Sequence, residues 1–344
     1  MGNREWGVGN RGQGPGDRCL RSMRVGKQFC LQSSIPTPYS LLPIPYKLRA
    51  AFALLLAVFA FLSAAMPVCA QESQINFDVS GSVDWTRAEL YTQVSFDLAR
   101  SGIKLPSGRY LAEETLNEAY PGLLRPFIRS VQVDSASTIK DLMDRGELSL
   151  EYLDRFTGEA VKTPPSLSAD LTRMIGRYTV PLERISSILN RHSSIAEPLQ
   201  PLVPVQTANY SGVIIIVDEE LPVYGRSGRA RAEPCLSPKI WDTNMNLVYN
   251  RDMTDPSRGG SALIVRYAVR NSIFRPTPSG LEGDLAAFLG NNPLRIIARS
   301  VFGVHPTDPV IDRNDALKIL STENNRRLLR EGRVLLVLNE KMLK

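Results

Sequence analysis

Apolar and polar positions alternate early in the chain. Ile75, Phe77 and Val79 form one run and Thr92, Val94, Phe96 and Leu98 another. Period-two patterning predicts antiparallel strands, with Gly81-Ser82 turning the chain between Val79 and Val83. Leu111, Thr115, Leu116, Ala119 and Leu123 then fall at helical spacing behind Pro106-Ser107-Gly108, with a kink or split expected at Pro121-Gly122. Pro126 to Val133 reads as a short apolar stretch, and Asp134-Ser135-Ala136-Ser137 as a loop that caps a helix through Ile139, Leu142 and Met143. A third short helix spans Glu147 to Phe156 and ends at Thr163-Pro164-Pro165. Met174 to Leu182 alternates as a strand before Leu182, Ile185, Ile188 and Leu189 turn helical.

The pattern restarts after Pro198, Pro201 and Pro204, whose spacing predicts a stiff, extended connector. Val213-Ile214-Ile215-Ile216-Val217 is a continuous β-branched run, the mark of a strand buried on both faces. Leu236–Trp241 and Leu247–Tyr249 flank a turn at Asp242-Thr243-Asn244 and read as a hairpin. Leu294 to Val304 alternates as one long strand. Asp312 caps a helix through Ala316 and Leu320, Asn325 to Glu331 continues helically, Gly332 stops it, and Val334 to Leu338 is a final strand. Strands outnumber helices and helices interrupt them irregularly. The expected class is α+β, two domains with helices packed on mostly antiparallel sheets. Their boundaries are 71–197 and 205–344, with 198–204 between them.

One segment predicts where those domains work. Lys47 and Arg49 precede an uncharged stretch from Ala50 to Ala65, and Val68-Cys69-Ala70 ends it in small residues before Gln71. Positive flank, apolar run and small residues at −3 and −1 are what a signal peptidase reads, so residues 47–70 form an export signal cut between Ala70 and Gln71. The alternative is an uncleaved inner-membrane anchor through residues 50–70, because about 20 apolar residues span a bilayer. Residues 1–46, rich in Gly, Pro and Arg without periodicity, read as an unstructured leader or a start codon assigned too far upstream. The expected location is the periplasm or cell envelope, with no membrane span once the signal is removed.

Export changes the electrostatics. The 344-residue chain carries a formal net charge of +6. Residues 1–70 hold eight basic residues (Arg4, Arg11, Arg18, Arg21, Arg24, Lys27, Lys47 and Arg49) against Glu5 and Asp17, so the whole excess lies there. The exported part is neutral, which gives no global basic surface for nucleic acid. Of four cysteines, only Cys235 lies beyond residue 70. A single cysteine makes no internal disulfide and no zinc ribbon or CxxC redox pair; it reads as a small buried residue in a strand.

Two stretches carry a resemblance. Leu123-Leu124 running into Ile128-Arg129-Ser130-Val131-Gln132-Val133-Asp134-Ser135 resembles the lipoprotein-20 family of bacterial envelope proteins, whose relatives include flagellar assembly protein P. Tyr210-Ser211-Gly212-Val213-Ile214-Ile215, with Cys235-Leu236-Ser237-Pro238-Lys239-Ile240-Trp241-Asp242 and Val248-Tyr249, resembles a segment that often follows that domain in secreted proteins of two-membraned bacteria. The resemblance implies an envelope structural role. The family's lipid-bearing cysteine is missing from the mature start, and residues 219–234 are an insertion between the two second-domain motifs.

Chemistry is sparse. His192 and His305 have no second ligand at metal spacing and read as surface residues. No GxSxG elbow marks a nucleophile. No catalytic, cofactor-binding or metal residue is expected. Asp218 and Glu219 follow the buried strand, and Arg226, Arg229 and Arg231 lie on a glycine-bearing loop able to fork onto oxyanions. These five are the candidate partner contacts. The expected function is a non-enzymatic, exported envelope protein with a structural or assembly role, flagellum-associated by resemblance. Its partners would be envelope proteins or copies of itself, with an oligomer open. The alternative is an exported binding or hydrolytic protein acting on a cell-wall or polysaccharide ligand through Asp218, Glu219 and the arginines. N-terminal sequencing of protein recovered from the envelope tests the export reading: the expected first residue is Gln71, and an intact Ala50–Ala65 segment in membranes means an anchor.

Overall fold

The computed structural model describes residues 76–189, 196–255, 263–277 and 280–344. The expected export signal, its expected Ala70/Gln71 cut and His192 lie outside them. The described residues belong to one compact unit, Gln71–Lys344, and their architecture is mixed α+β in two domains.

The first domain is a four-stranded antiparallel sheet with helices against one face. Strand β1 (Phe77–Asp84) pairs with β2 (Glu89–Asp97), β2 with β4 (Arg173–Pro181), and β4 with β3 (Val161–Leu167). Helices α1 (Arg109–Arg129), α2 (Ile139–Asp144) and α3 (Leu150–Gly158) lie between β2 and β3 in sequence, and α4 (Leu182–Leu189) follows β4. The turn falls at Trp85–Ala88, not at Gly81, which sits in mid-strand paired with Thr92. Gly81 is a requirement of space: a Cβ there would lie 2.6 Å from the Phe127 ring of α1.

Helix α1 runs through Pro121 and Pro126 to Arg129, past the kink or split expected at Pro121-Gly122, and takes in the first part of the short apolar stretch at 126–133. An interior proline costs about 3 kcal/mol in a helix. Against that, Ala112, Leu116, Tyr120, Leu124 and Ile128 are all buried at strict i, i+4 spacing, and a large apolar side chain contributes about 1.5–3 kcal/mol on burial. Packing wins over propensity. Tyr120 stacks on Tyr178 of β4 at 4.6 Å, and burial pushes the Tyr178 hydroxyl up to about 12. Thr163-Pro164-Pro165 does not end a helix but lies inside β3. That strand is on the edge of the sheet, where proline is tolerated, and its register shifts between Thr163 and Ser166.

The second domain is built on a parallel sheet of order β10-β14-β5-β11, made of β5 (Val213–Ile216), β10 (Arg266–Val269), β11 (Leu294–Ile297) and β14 (Val334–Leu338). Every residue of β5 is buried, as its unbroken apolar run predicts. Ile214 and Ile216 enter one core with Leu335, Val337 and Leu289 of α5 (Gly283–Leu289). Val213, Ile215 and Val217 enter the main core.

A second sheet holds β12 (Ser300–Phe302), β13 (Asp308–Ile311), β8 (Ile240–Asp242) and β9 (Leu247–Tyr249), with β13 parallel to β8 and the other pairs antiparallel. The long strand expected over 294–304 is thus two strands, one in each sheet. Helices α6 (Arg313–Leu320) and α7 (Glu323–Arg330) are capped by the side chains of Asp312 and Thr322. The proline stretch has no regular structure, and Leu202 is fully exposed there. Just beyond it, the Val205 N–H donates to Ser321, and buried Asn325 binds the backbone of Ala208 and Tyr210.

Replacing Gly81 with valine is expected to cost about 1–3 kcal/mol by overpacking. Urea unfolding measures it, and the cost should shrink on a Phe127→Ala background; strictly additive costs would mean that the Phe127 ring gives way freely.

Candidate functional site

Two places gather chemistry: the carboxyl ends of the parallel strands, where the sequence placed its candidates, and the seam between the domains, which the sequence did not reveal.

Asp218 leaves β5 at its carboxyl end and is half-buried. Its carboxylate pairs with Arg270, the residue after β10, at 2.8 Å, and its carbonyl accepts from Asn339 just beyond β14 at 3.3 Å. Since β14 lies between β5 and β10, the Arg270 pair spans the middle of the sheet. Asp218 therefore ties three strands, and its side chain is not free for acid–base work. Glu219 is exposed, and among the described residues it forms no ion pair.

The arginine loop is a hairpin of β6 (Leu221–Pro222) and β7 (Arg229–Ala230). Gly225, at φ +75°, supplies the left-handed position of a turn closed by the Arg226 N–H on the Val223 carbonyl at 3.1 Å. The hairpin does not project freely. Val223 bridges to Val301, the Tyr224 N–H donates to the Val301 carbonyl at 2.8 Å, and the Tyr224 ring meets Phe302 edge-on. Two of the three arginines are occupied at home: Arg231 pairs with Glu220 at 3.2 Å, and Arg229 donates to the Glu220 carbonyl. Arg226 is exposed and, among the described residues, has no side-chain partner. The five candidates come together around one hairpin, but only Arg226 and Glu219 present uncommitted charge.

The seam is richer. Asp308, 1% exposed, sits at the start of β13. Its Oδ1 accepts from the Lys239 N–H at 3.1 Å and the Thr307 hydroxyl at 2.9 Å, and its Oδ2 from the Trp241 indole at 3.4 Å. The Ser135 hydroxyl, from the loop after α1, hydrogen-bonds it as well. Burial pushes the Asp308 carboxyl above the usual carboxylate range, and these hydrogen bonds pull against the rise.

The same loop is stitched to the second domain by backbone. Leu236 N–H donates to Gln132 at 3.0 Å, Ser237 N–H to Val133 at 2.8 Å, and His305 N–H to Ser135 at 3.0 Å. Gly303, at φ +120°, permits this approach: a Cβ there would lie 2.4 Å from that of Ser135. Cys235 is buried, as expected, though in the loop before β8 and not in a strand. Its N–H and carbonyl both bind the Tyr267 hydroxyl, at 3.0 and 2.7 Å, and the Tyr267 ring meets Trp85 of the β1–β2 turn edge-on at 5.7 Å. Burial raises both the Cys235 thiol and the Tyr267 phenol. His305 is half-exposed and lies 3.3 Å from Glu233.

Residues 76–188 match the family described as Treponema pallidum Tp0624, N-terminal domain, and residues 212–340 match Treponema pallidum Tp0624, second domain. The chain is similar to the first two domains of Tp0624. No curated protein matches it. The first Tp0624 match ends inside α4 and the second begins just before β5, so the irregular connector falls between them. The seam joins one Tp0624-type domain to the other, with Ser135 in the first and Asp308 in the second. Among the described residues, no group of three or more histidine, cysteine, aspartate or glutamate side chains is placed to hold a metal ion, and no helix is long and apolar enough to cross a membrane.

Asp308 gives the seam a pH signature. A carboxyl whose folded pKa lies above its unfolded value of about 3.9 binds its proton more tightly when folded. Its contribution is greatest below that value, falls as pH rises through the interval up to the folded pKa, and is level beyond. Asp308→Asn should remove this slope. It should also lower stability by about 1–3 kcal/mol across the range, because an amide nitrogen would face one of the donors. Urea unfolding at a series of pH values checks both; an unchanged slope means that Asp308 does not titrate with folding.

Proposed function

We propose that the chain is an exported, non-enzymatic envelope protein that assembles with itself or with a larger envelope structure, the flagellar basal apparatus being the candidate raised by the lipoprotein-20 resemblance. The observation that carries this reading is the seam. A buried carboxylate, a thiol and a phenol gather there, beside the backbone hydrogen bonds from Leu236, Ser237 and His305 and the Trp85–Tyr267 ring contact that join two domains into one body. All three are buried. An enzyme concentrates displaced protonation at an accessible cavity; a scaffold benefits from domains held at a fixed angle.

The export signal supports the location, and the hairpin supplies a contact surface. Arg226 and Glu219 lie at its tip and base with charge to offer, and Tyr224 beside them is 39% exposed. An aromatic ring next to an arginine is a common anchor at protein interfaces. The alternative, a site for cell-wall polysaccharide, draws on the same residues, but the Arg270 pair on Asp218 works against a catalytic carboxylate pair there.

Crosslinking in intact cells from a photoreactive residue at position 226 tests the proposal. The expected adducts are envelope proteins or a second copy of the chain, weakened by added salt in membranes freshly prepared from the same cells. Adducts to glycan alone would replace the assembly reading with the polysaccharide one.

A further inference from the structure

The two edges of the first-domain sheet are built differently. The β3 edge carries Lys162, Pro164, Pro165 and a register shift, devices that keep another strand from adding on. The β1 edge has none of them. It pairs with β2 in unbroken register over eight residues, contains no proline and no lysine, and among the described residues no strand covers its other side. A regular, unprotected edge of eight residues offers a row of backbone donors and acceptors to an incoming strand.

The sequence of that edge identifies the strand that fits. Asp78-Val79-Ser80-Gly81-Ser82-Val83-Asp84 reads the same in both directions about Gly81. An antiparallel pairing across a two-fold axis sets residue i against the residue equally far from the centre on the other copy. With the axis at Gly81, Ser80 faces Ser82, Val79 faces Val83 and Asp78 faces Asp84. Side chains opposite one another in an antiparallel pair lie on the same face of the sheet. The face that bears Val79, Gly81 and Val83 is the one Phe127 covers, and Val79, Val83 and Phe127 are half-buried there, packed against the core. A second copy would finish burying them. The facing carboxylates are compensated: Asp78 pairs with Arg173 at 3.1 Å, and Arg87, 72% exposed, lies 4.0 Å from Asp84. Each end of the joined strands thus holds two acids and two arginines.

We propose that β1 is a homodimerisation edge, on which two copies of the chain pair antiparallel about Gly81 to make one continuous eight-stranded sheet. The inference deepens the self-assembly branch of the proposed function. The two can fail separately, because a chain without this dimer can still bind other envelope proteins through its hairpin. A single strand pair buries less than the ~1,600 Å² of a standard interface, so the dimer is weak and concentration-dependent, with a Kd in the micromolar range or above, on the order of 1–100 μM.

Register-specific disulfides test it. Full-length chains carrying Ser80→Cys or Ser82→Cys are made separately, purified in mild detergent and oxidised alone or mixed. Both positions are exposed, Cys19, Cys30 and Cys69 are changed to Ser in every chain, and the remaining Cys235 is buried, so folding and background coupling are little affected. The expected result is a disulfide-linked dimer only in the mixture, since opposed residues lie within disulfide reach while each position is diagonal to itself. Sizing of the unmodified chain should show a dimer that grows with concentration. Coupling of Ser80→Cys to itself would overturn the register, and absence of coupling in the mixture, or a monomer up to about 1 mM, would overturn the dimer.

Discussion

The structure depends on burying one carboxylate between two domains. Removing a carboxylate from water costs several kcal/mol unless donors replace its hydration. Asp308 is supplied from β8, from its own neighbour Thr307 and from the Ser135 loop of the other domain. That last donor makes the arrangement cooperative. The loop after α1 must reach the second sheet to contribute it, and it reaches by three backbone hydrogen bonds that need Gly303 to stand aside. Losing the domain contact would withdraw a hydrogen bond from the carboxylate and expose the apolar surface of Trp85 and Tyr267 together. The seam is therefore more than an apolar contact, and its polar groups specify one mutual orientation where hydrophobic area alone would tolerate several.

Much of the fold was legible because it rests on local periodicity. The β5 run, the capped helix α6, the strand at Val334–Leu338 and the α4 switch at Leu182 stand where the pattern puts them, while the helical stretch from Asn325 is a separate helix with its own cap at Thr322. The failures share a cause, which is packing overriding a local signal. Gly81 looks like a turn because glycine frees the backbone, but here it makes room for Phe127. Pro121 and Pro126 look like breaks, but five buried side chains on one stripe of α1 outweigh them. Thr163-Pro164-Pro165 looks like a stop until it is known to lie on a sheet edge. The Leu294–Val304 alternation holds in burial from Leu294 to Ser300 and then breaks, with Val301 buried and Val304 exposed, as tertiary structure sends its two halves to different sheets.

The candidate site was legible in part for the same reason. Charges at the end of a buried strand can be read from sequence; their pairing cannot. Asp218 meets Arg270, 52 positions away, through the order of the parallel sheet, and nothing in the intervening sequence signals it. Arg229 and Arg231 look like available cations until the hairpin folds them back on Glu220. What remains uncommitted is one arginine, one glutamate and a half-covered tyrosine. Asp308 offered no signal at all, since Thr-Asp-Pro resembles any loop, and its importance comes wholly from the four groups that converge on it.

The arrangement of edges and seam has a mechanical consequence. Four strands of the first domain end in one protected edge and one open edge, while the loop after α1 and the turn at Trp85 are locked to the second domain. A load or partner applied at β1 passes through β2 to Trp85, whose N–H binds the Leu343 carbonyl and whose ring rests on Tyr267. Tyr267 in turn holds both backbone groups of Cys235, adjacent to the residues that pair with Gln132 and Val133. The route from the open edge to the second domain is thus short and continuous in hydrogen bonds and rings. A fold that merely had to stay folded would need only the apolar core. Under the proposed assembly role, this coupling would let contact made at the open edge fix the orientation of the second domain.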